Sequence, residues 1–211
     1  MSLVVDNLEK IKGILKFDKN DRPDNFYKFT LMIRDKDCQN HPFLNKYRKE
    51  YIVKDWLIES QEMYERHIDE FRFLTNLIKG RLYFTSEMKS LEKSLDLLSH
   101  EVLNRAREHY KNPMQGSARM LPKLLSSITS RVESSARNGR MVLFDVDTKD
   151  IEVVEELKEK LGKAYIECLD SKNGYHVLAK RTFDTRKFEL PRDTTLVVNG
   201  LVLAYANLES Y

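Results

Sequence analysis

Apolar and polar positions are ordered most clearly between Met141 and Lys180. MVLFDVD is an apolar run closed by two carboxylates, the pattern of a buried strand. TKDIEVVEELKEKLG follows, with Ile151, Val154, Leu157 and Leu161 at the spacing of one helix face and Gly162 as a stop signal. KAYIECLD and YHVLAK read as two further strands joined by the tight turn SKNG. In the last strand Tyr175, Val177 and Ala179 share one face, while His176, Leu178 and Lys180 share the other.

Upstream, Leu3 to Leu15 has a short amphipathic helix pattern, with Leu3, Leu8, Ile11 and Leu15 near one face. Phe26 to Arg34 reads as a strand, and Asn45 to His67 as a helix anchored by Tyr47, Tyr51, Trp56 and Met63. Ile68 to Lys79 extends that helix or forms a second one, stopped by Gly80. RLYFT is a short strand. Ser86 then caps a long helix, Glu87 to Tyr110, whose stripe of Met88, Leu91, Leu95, Leu98, Val102 and Ala106 is suited to packing on a sheet. Pro122 to Ala136 fits a helix burying Leu125, Ile128 and Val132. Thr194 to Val198 and Leu201 to Ala206 are β-rich runs joined by Asn199-Gly200, a hairpin signal. Together these elements predict an α+β fold with a mixed, partly antiparallel sheet and flanking helices. Residues 1–79 are expected to be a mainly helical lobe with one strand, and residues 80–211 an α+β core.

Composition narrows the function classes. A chain of 211 residues with 41% hydrophobic and 33% charged residues fits a soluble globular protein, and no apolar run is long enough to span a bilayer. The start, MSLVVDNLEKIKG, lacks a signal-peptide pattern. Cys38 and Cys168 have no closely spaced partner, which argues against structural zinc or a disulfide scaffold and fits a reducing cytoplasm. The net charge is only +3, but Lys111, Arg119, Lys123, Arg131, Arg137 and Arg140 face the single acid Glu133 in a serine-rich stretch. Such a stretch suits a phosphate backbone, or is an ordinary solvated face.

The candidate chemistry sits in the central stretch. Asp145 and Asp147 stand two apart on a strand, so their carboxylates point to one side, where a magnesium or manganese ion would relieve their repulsion. The alternative is structural, with Asp147 or Thr148 capping the helix that starts near Asp150. His176, just beyond a turn offering N–H groups and the Ser171 hydroxyl, is placed to meet a phosphate. It also suits a surface hairpin.

FDVD, about thirty residues, then SKNGYHVLAK resembles the first two motifs of the archaeo-eukaryotic primase superfamily, the primase-polymerases. A similar arrangement occurs in a group of uncharacterised phage-encoded proteins, which this chain also resembles around RLYFTSEMKSLEKSLDLL and NGLVLAYAN. The resemblance implies a metal-dependent nucleotidyltransferase acting on nucleic acid with nucleoside triphosphates. Asp145 and Asp147 would hold Mg2+ or Mn2+, while Ser171 and His176 would contact the triphosphate. The family's third motif is an aspartate, and here Asp193 precedes the strand while Asn199 takes the aligned position. From charge alone, Lys172 is a further phosphate candidate, with Arg81 and Arg140 as electrostatic ones. The alternative is a primase-like module that has lost a metal ligand and binds nucleic acid or protein without catalysis. VLFDVD also resembles the opening of a haloacid-dehalogenase-type phosphatase, but the Gly-Thr usual after that motif is missing. A nuclease using the same carboxylates is a third reading.

Overall fold

The computed structural model of the chain describes residues 3–17, 25–35, 37, 44, 49–111, 121–136 and 141–208. Strand β1 (Leu3–Asp6) leads into helix α1 (Leu8–Ile14). Strands β2 (Asn25–Arg34) and β3 (Glu50–Ile58) precede α2 (Gln61–Ile78), which β4 (Arg81–Thr85) follows. The two-residue β5 (Lys89–Ser90) opens α3 (Leu91–Lys111), and α4 (Leu121–Thr129) follows. The remainder is β6 (Met141–Val146), α5 (Ile151–Leu161), β7 (Tyr165–Asp170), β8 (Tyr175–Lys180), β9 (Thr194–Val198) and β10 (Leu201–Leu208).

The strands form two sheets. One has the order β1-β10-β4-β2-β3, with β5 also on β2, and the other has the order β7-β8-β6-β9. The fold is therefore α+β, as expected. Every strand pairing among the described residues is antiparallel, which replaces the expected mixed sheet. In the second sheet β8 is inserted between β6 and β7, a split βαβ arrangement. One core joins the sheets: Tyr27, Phe29, Leu31, Leu82, Phe84 and Val202 of the first with Leu143, Leu169 and Leu178 of the second. A smaller core lies under α5, where Val142, Phe144, Val146, Val177 and Ala179 meet Val153, Val154, Leu157 and Leu161. Val153 takes the buried place expected for Ile151, which is exposed.

A single buried asparagine stitches the sheets together. Asn7 donates its backbone N–H to the Ala204 carbonyl at 2.9 Å and its side-chain amide to the carbonyls of Leu203 and Asp170 at 2.9 and 2.8 Å. Its side-chain oxygen accepts from the Asp170 N–H at 3.0 Å. Every polar group of this side chain that is taken from water is thus bonded, as burial demands.

Four expectations are corrected. Residues 45–67 were expected to be helical, yet residues 50–58 form β3. Ile52 and Val53 are β-branched, and pairing with β2 across Phe29–Trp56 and Tyr27–Ile58 outweighs weak helical spacing. Residues 1–79 consequently carry three described strands instead of one, and these share a sheet with β4 and β10. Asn199-Gly200 makes no hairpin: β9 pairs with β6 and β10 with β4 and β1, so this turn is a corner between sheets. The α3 stripe is not covered by a sheet either. Leu95 and Val102 are exposed, and α3 contacts α4 and the 3-10 turn Val132–Ser134 instead.

The serine-rich stretch explains itself in the same region. Leu124 and Ile128 of α4 are buried, whereas Leu125 and Val132 are 40% and 53% exposed, contrary to the expected pattern. The serines point inward to two buried lysines. Lys28 donates to the Ser126 carbonyl and hydroxyl at 2.6 and 3.1 Å and to Ser130 Oγ at 2.8 Å, and it pairs with Asp55 at 3.3 Å. Lys89 donates to the Arg131 carbonyl at 3.0 Å, to Ser135 Oγ at 3.1 Å and to Asn199 Oδ1. Ser135 in turn donates to Glu87 at 2.6 Å. Burial lowers the pKa of Lys28, and Asp55 opposes the shift. Burial pushes Lys89 down to about 8, against the pull of Glu87 and with a contribution from Lys28. No helix among the described residues is long and apolar enough to cross a membrane.

Lys89 keeps its proton to about pH 8 in the fold but to the ordinary lysine value of 10.5 in the open chain. The unfolded state therefore binds more protons in that window, and this residue makes stability rise with pH above 8. Urea unfolding between pH 7 and 9 should show that rise in the parent and lose it in Lys89→Met. The substitution should also cost about 3–5 kcal/mol at pH 7, because it leaves Glu87 and three acceptors buried without their cation. Equal slopes in both proteins would refute the assignment.

Candidate functional site

Strand alternation decides where the site lies. On β6, Val142, Phe144 and Val146 face α5, so Met141, Leu143 and Asp145 share the opposite face. On β8, His176 and Leu178 take that same face. The antiparallel register sets Leu143 opposite Leu178 and Asp145 opposite His176. The two motif residues are thus cross-strand neighbours, with His176 Nε2 3.4 Å from Asp145 Oδ1. His176 Nδ1 accepts the backbone N–H of Leu203 in β10 at 3.1 Å. That bond assigns the proton to Nε2, directed at the carboxylate. The ring is buried, whereas the Asp145 side chain is 39% exposed, so the pair is anchored at one end and open at the other.

The turn before β8 is seated on the loop after β6. A Cβ on Gly174 would lie 1.8 Å from the Val146 carbonyl oxygen and 2.8 Å from that of Thr148, so only glycine fits there. The Gly174 N–H donates to Ser171 Oγ at 3.1 Å, and the Ser171 N–H to the Gly174 carbonyl at 3.0 Å. Lys149 donates to both carbonyls of this turn, at 3.1 Å each, and lies over the Tyr175 ring. Sequence reasoning missed Lys149, although a cation two residues beyond the second aspartate was a visible signal. The two motifs are therefore packed against each other.

The remaining candidates divide. Asp147 is exposed, and its N–H donates to the Asp193 carbonyl at 2.8 Å, so these two aspartates stand side by side at the open end of the sheet. Asp147 does not cap α5: Asp150 accepts from the Glu152 N–H at 3.1 Å, and Thr148 Oγ1 accepts from the Asp150 N–H at 3.1 Å. Asn199 is placed elsewhere. It follows Val198, which pairs with Val142, three residues and about 10 Å of strand from Asp145. Its oxygen accepts from Lys89, and its amide donates to the Ser130 carbonyl at 2.7 Å, so it is a structural corner residue. Arg81 and Lys172 do meet, through Asp37: Lys172 donates to its Oδ1 at 3.2 Å and Arg81 donates to the same atom. Arg140 lies outside the described residues.

Among the described residues, no three His, Cys, Asp or Glu side chains converge closely enough to hold a metal ion. Asp145, Asp147 and Asp193 offer hard oxygen donors, the ligand type magnesium and manganese take, but they are not gathered into one group. Cys168 is half-buried, and burial pushes its thiol up to about 11, which disfavours the thiolate. Trp56 is buried, its ring edge-on to Phe71. No family model, curated protein or solved structure matches this chain.

Gly174→Ala should destabilise the fold by about 3 kcal/mol or more, since the turn must leave β6. Gly13→Ala, in α1 with open space around it, should instead stabilise by about 0.5–1 kcal/mol. Chemical denaturation of the two variants checks the contrast, and equal effects would contradict the packing described.

Proposed function

We propose that the chain is a metal-dependent nucleotidyltransferase of the primase-polymerase type, acting on nucleic acid with nucleoside triphosphates. One juxtaposition carries the proposal: Asp145 and His176, contributed by two separate motifs, are neighbours on one sheet face, 3.4 Å apart. Asp145 and Asp147, with Asp193 in the role expected of Asn199, would hold Mg2+ or Mn2+. When bound, the metal supplies Lewis-acid polarisation of a phosphoryl oxygen and a more acidic attacking hydroxyl. The backbone bond to Nδ1 leaves the His176 Nε2–H as a fixed donor for a phosphate oxygen, with Asp145 orienting it until the ligand arrives. Ser171 retains its O–H as a donor, because its oxygen only accepts from the turn. Lys149 acts indirectly by holding the turn.

A second reading is a primase-like module that binds nucleic acid or protein without catalysis. It is favoured by Asn199 being tied to Lys89 and Ser130, and by the absence of a converged three-ligand group among the described residues.

Manganese at a hundredfold over its Kd should stabilise the protein by about 2.7 kcal/mol, which is roughly 5–10 °C in Tm for a chain of this size. Asp145→Asn combined with Asp147→Asn should abolish that shift. With labelled nucleotides and a primed template, the parent should extend the primer and the double variant should not. Products that only shorten would leave a nuclease, and neither shift nor extension would leave the binding module.

A further inference from the structure

The face of the first sheet opposite Phe29, Leu31 and Phe84 is mixed, with polar residues on either side of a small apolar cluster of Val5, Met32, Tyr83, Leu203 and Ala206. Beyond the buried lysines, the far end of this face holds a second charged cluster. Arg34 and Arg81 both donate to the Tyr83 phenol oxygen, at 3.1 and 3.3 Å. Arg34 pairs with Glu50 at 2.7 Å, and Arg81 pairs with Asp37 just beyond β2. Lys172, from the turn of the other sheet, reaches the same Asp37 oxygen at 3.2 Å. The side chains of Arg81 and Asp37 are only 5% and 2% exposed. Three cations thus face two carboxylates, with Arg81 and Asp37 dry and Arg34, Glu50 and Lys172 reaching solvent.

Hydrogen bonding in this cluster is incomplete. Nε of Arg34, Nε of Arg81 and Oδ2 of Asp37 are all buried and have no hydrogen-bond partner among the described residues. A native interior leaves few such groups, and an arginine placed against a carboxylate for stability alone favours a two-bond fork. Here one carboxylate oxygen serves two cations from different sheets while the other serves none.

We infer that Arg34, Arg81 and Lys172 form a seat for a phosphate or diphosphate group, and that Asp37 occupies it as an internal surrogate anion. A phosphate brings more acceptor oxygens than a carboxylate, enough to engage the idle guanidinium N–H groups and Lys172 together. It enters by displacing Asp37, so the seat discriminates against weakly charged anions, which cannot outcompete a resident carboxylate. The seat shares Arg81 and Lys172 with the nucleotidyltransferase proposal and rests on it only for identifying the phosphate as a nucleotide's. None of Asp145, Asp147 and Asp193 belongs to it.

Calorimetric titration of the full chain with pyrophosphate, without added metal, tests the seat. Asp37→Asn keeps the side-chain shape and removes the charge, so it should bind pyrophosphate on the order of tenfold tighter than the parent. Lys172→Met in that background should reverse most of the gain. Because no metal is added, the titration does not call on Asp145 and Asp147, so loss of the catalytic proposal would leave this result standing. A parallel titration with ATP separates the sources: tighter binding than pyrophosphate marks a nucleotide seat, and equal binding marks a seat for the free diphosphate. No gain in Asp37→Asn, or a gain indifferent to Lys172→Met, would overturn the inference. Should Asp37→Asn not fold, Lys172→Met alone must weaken binding relative to the parent, and equal affinities would overturn it just as well.

Discussion

Everything described here depends on how two antiparallel sheets are locked at the edge of one strand. Past its pairing with β1, strand β10 would leave backbone groups of Leu203 and Ala204 without a ladder partner. A buried N–H or carbonyl in that condition is costly. Groups from elsewhere satisfy them: the Asn7 side-chain amide donates to the Leu203 carbonyl, the Asn7 backbone N–H donates to the Ala204 carbonyl, and the His176 ring accepts the Leu203 N–H. The histidine in the candidate site is therefore also a structural rivet. Its orientation is fixed by the same bond that joins the sheets, and it presents Nε2 to Asp145 without needing a ligand to order it.

The first sheet departs from the usual division between apolar core and wet surface. One face of β2 is Tyr27, Phe29 and Leu31, while the other carries Lys28, Thr30 and Arg34. That second face is covered as well, so its charges had to be neutralised or hydrogen-bonded in place. Ser126 of α4 and Ser130 just past it do this for Lys28, and Ser135, just past the 3-10 turn, does it for Lys89. Composition alone gave the serine-rich stretch an outward, phosphate-facing look. In fact the hydroxyls of Ser126, Ser130 and Ser135 are consumed inside, while half of the basic residues of that stretch lie outside the described residues.

Periodicity made the β6-α5-β7-β8 unit legible from sequence, because its local and long-range preferences agree. The faces of YHVLAK were readable for the same reason, and they imply the Asp145–His176 pairing once the register is known. Register itself was not readable. Neither was the helix-to-strand change at residues 50–58, since Tyr51, Trp56 and Met63 fit a loose helical spacing as well as an alternating one. The Asn199-Gly200 corner was misjudged because its local turn chemistry is that of a hairpin. Only the distribution of partners, with β6 on one side and β4 on the other, sends its two strands apart. Lys149 and Asp37 escaped notice because their roles come from residues 22 or more positions away.

That corner has a temporal consequence. Strand β10 lies between β1 and β4, yet it is made after every other strand of its sheet. Until translation reaches it, β1 has no ladder and β4 has one open side, so the earlier strands wait with an exposed edge. The insertion joins residues at opposite ends of the described chain, such as Val5 and Ala206. Such distant closures are slow, and an open edge during the delay invites pairing with other chains. Assembly of this protein should thus be limited by the arrival of its last strand, with aggregation competing chiefly before that moment.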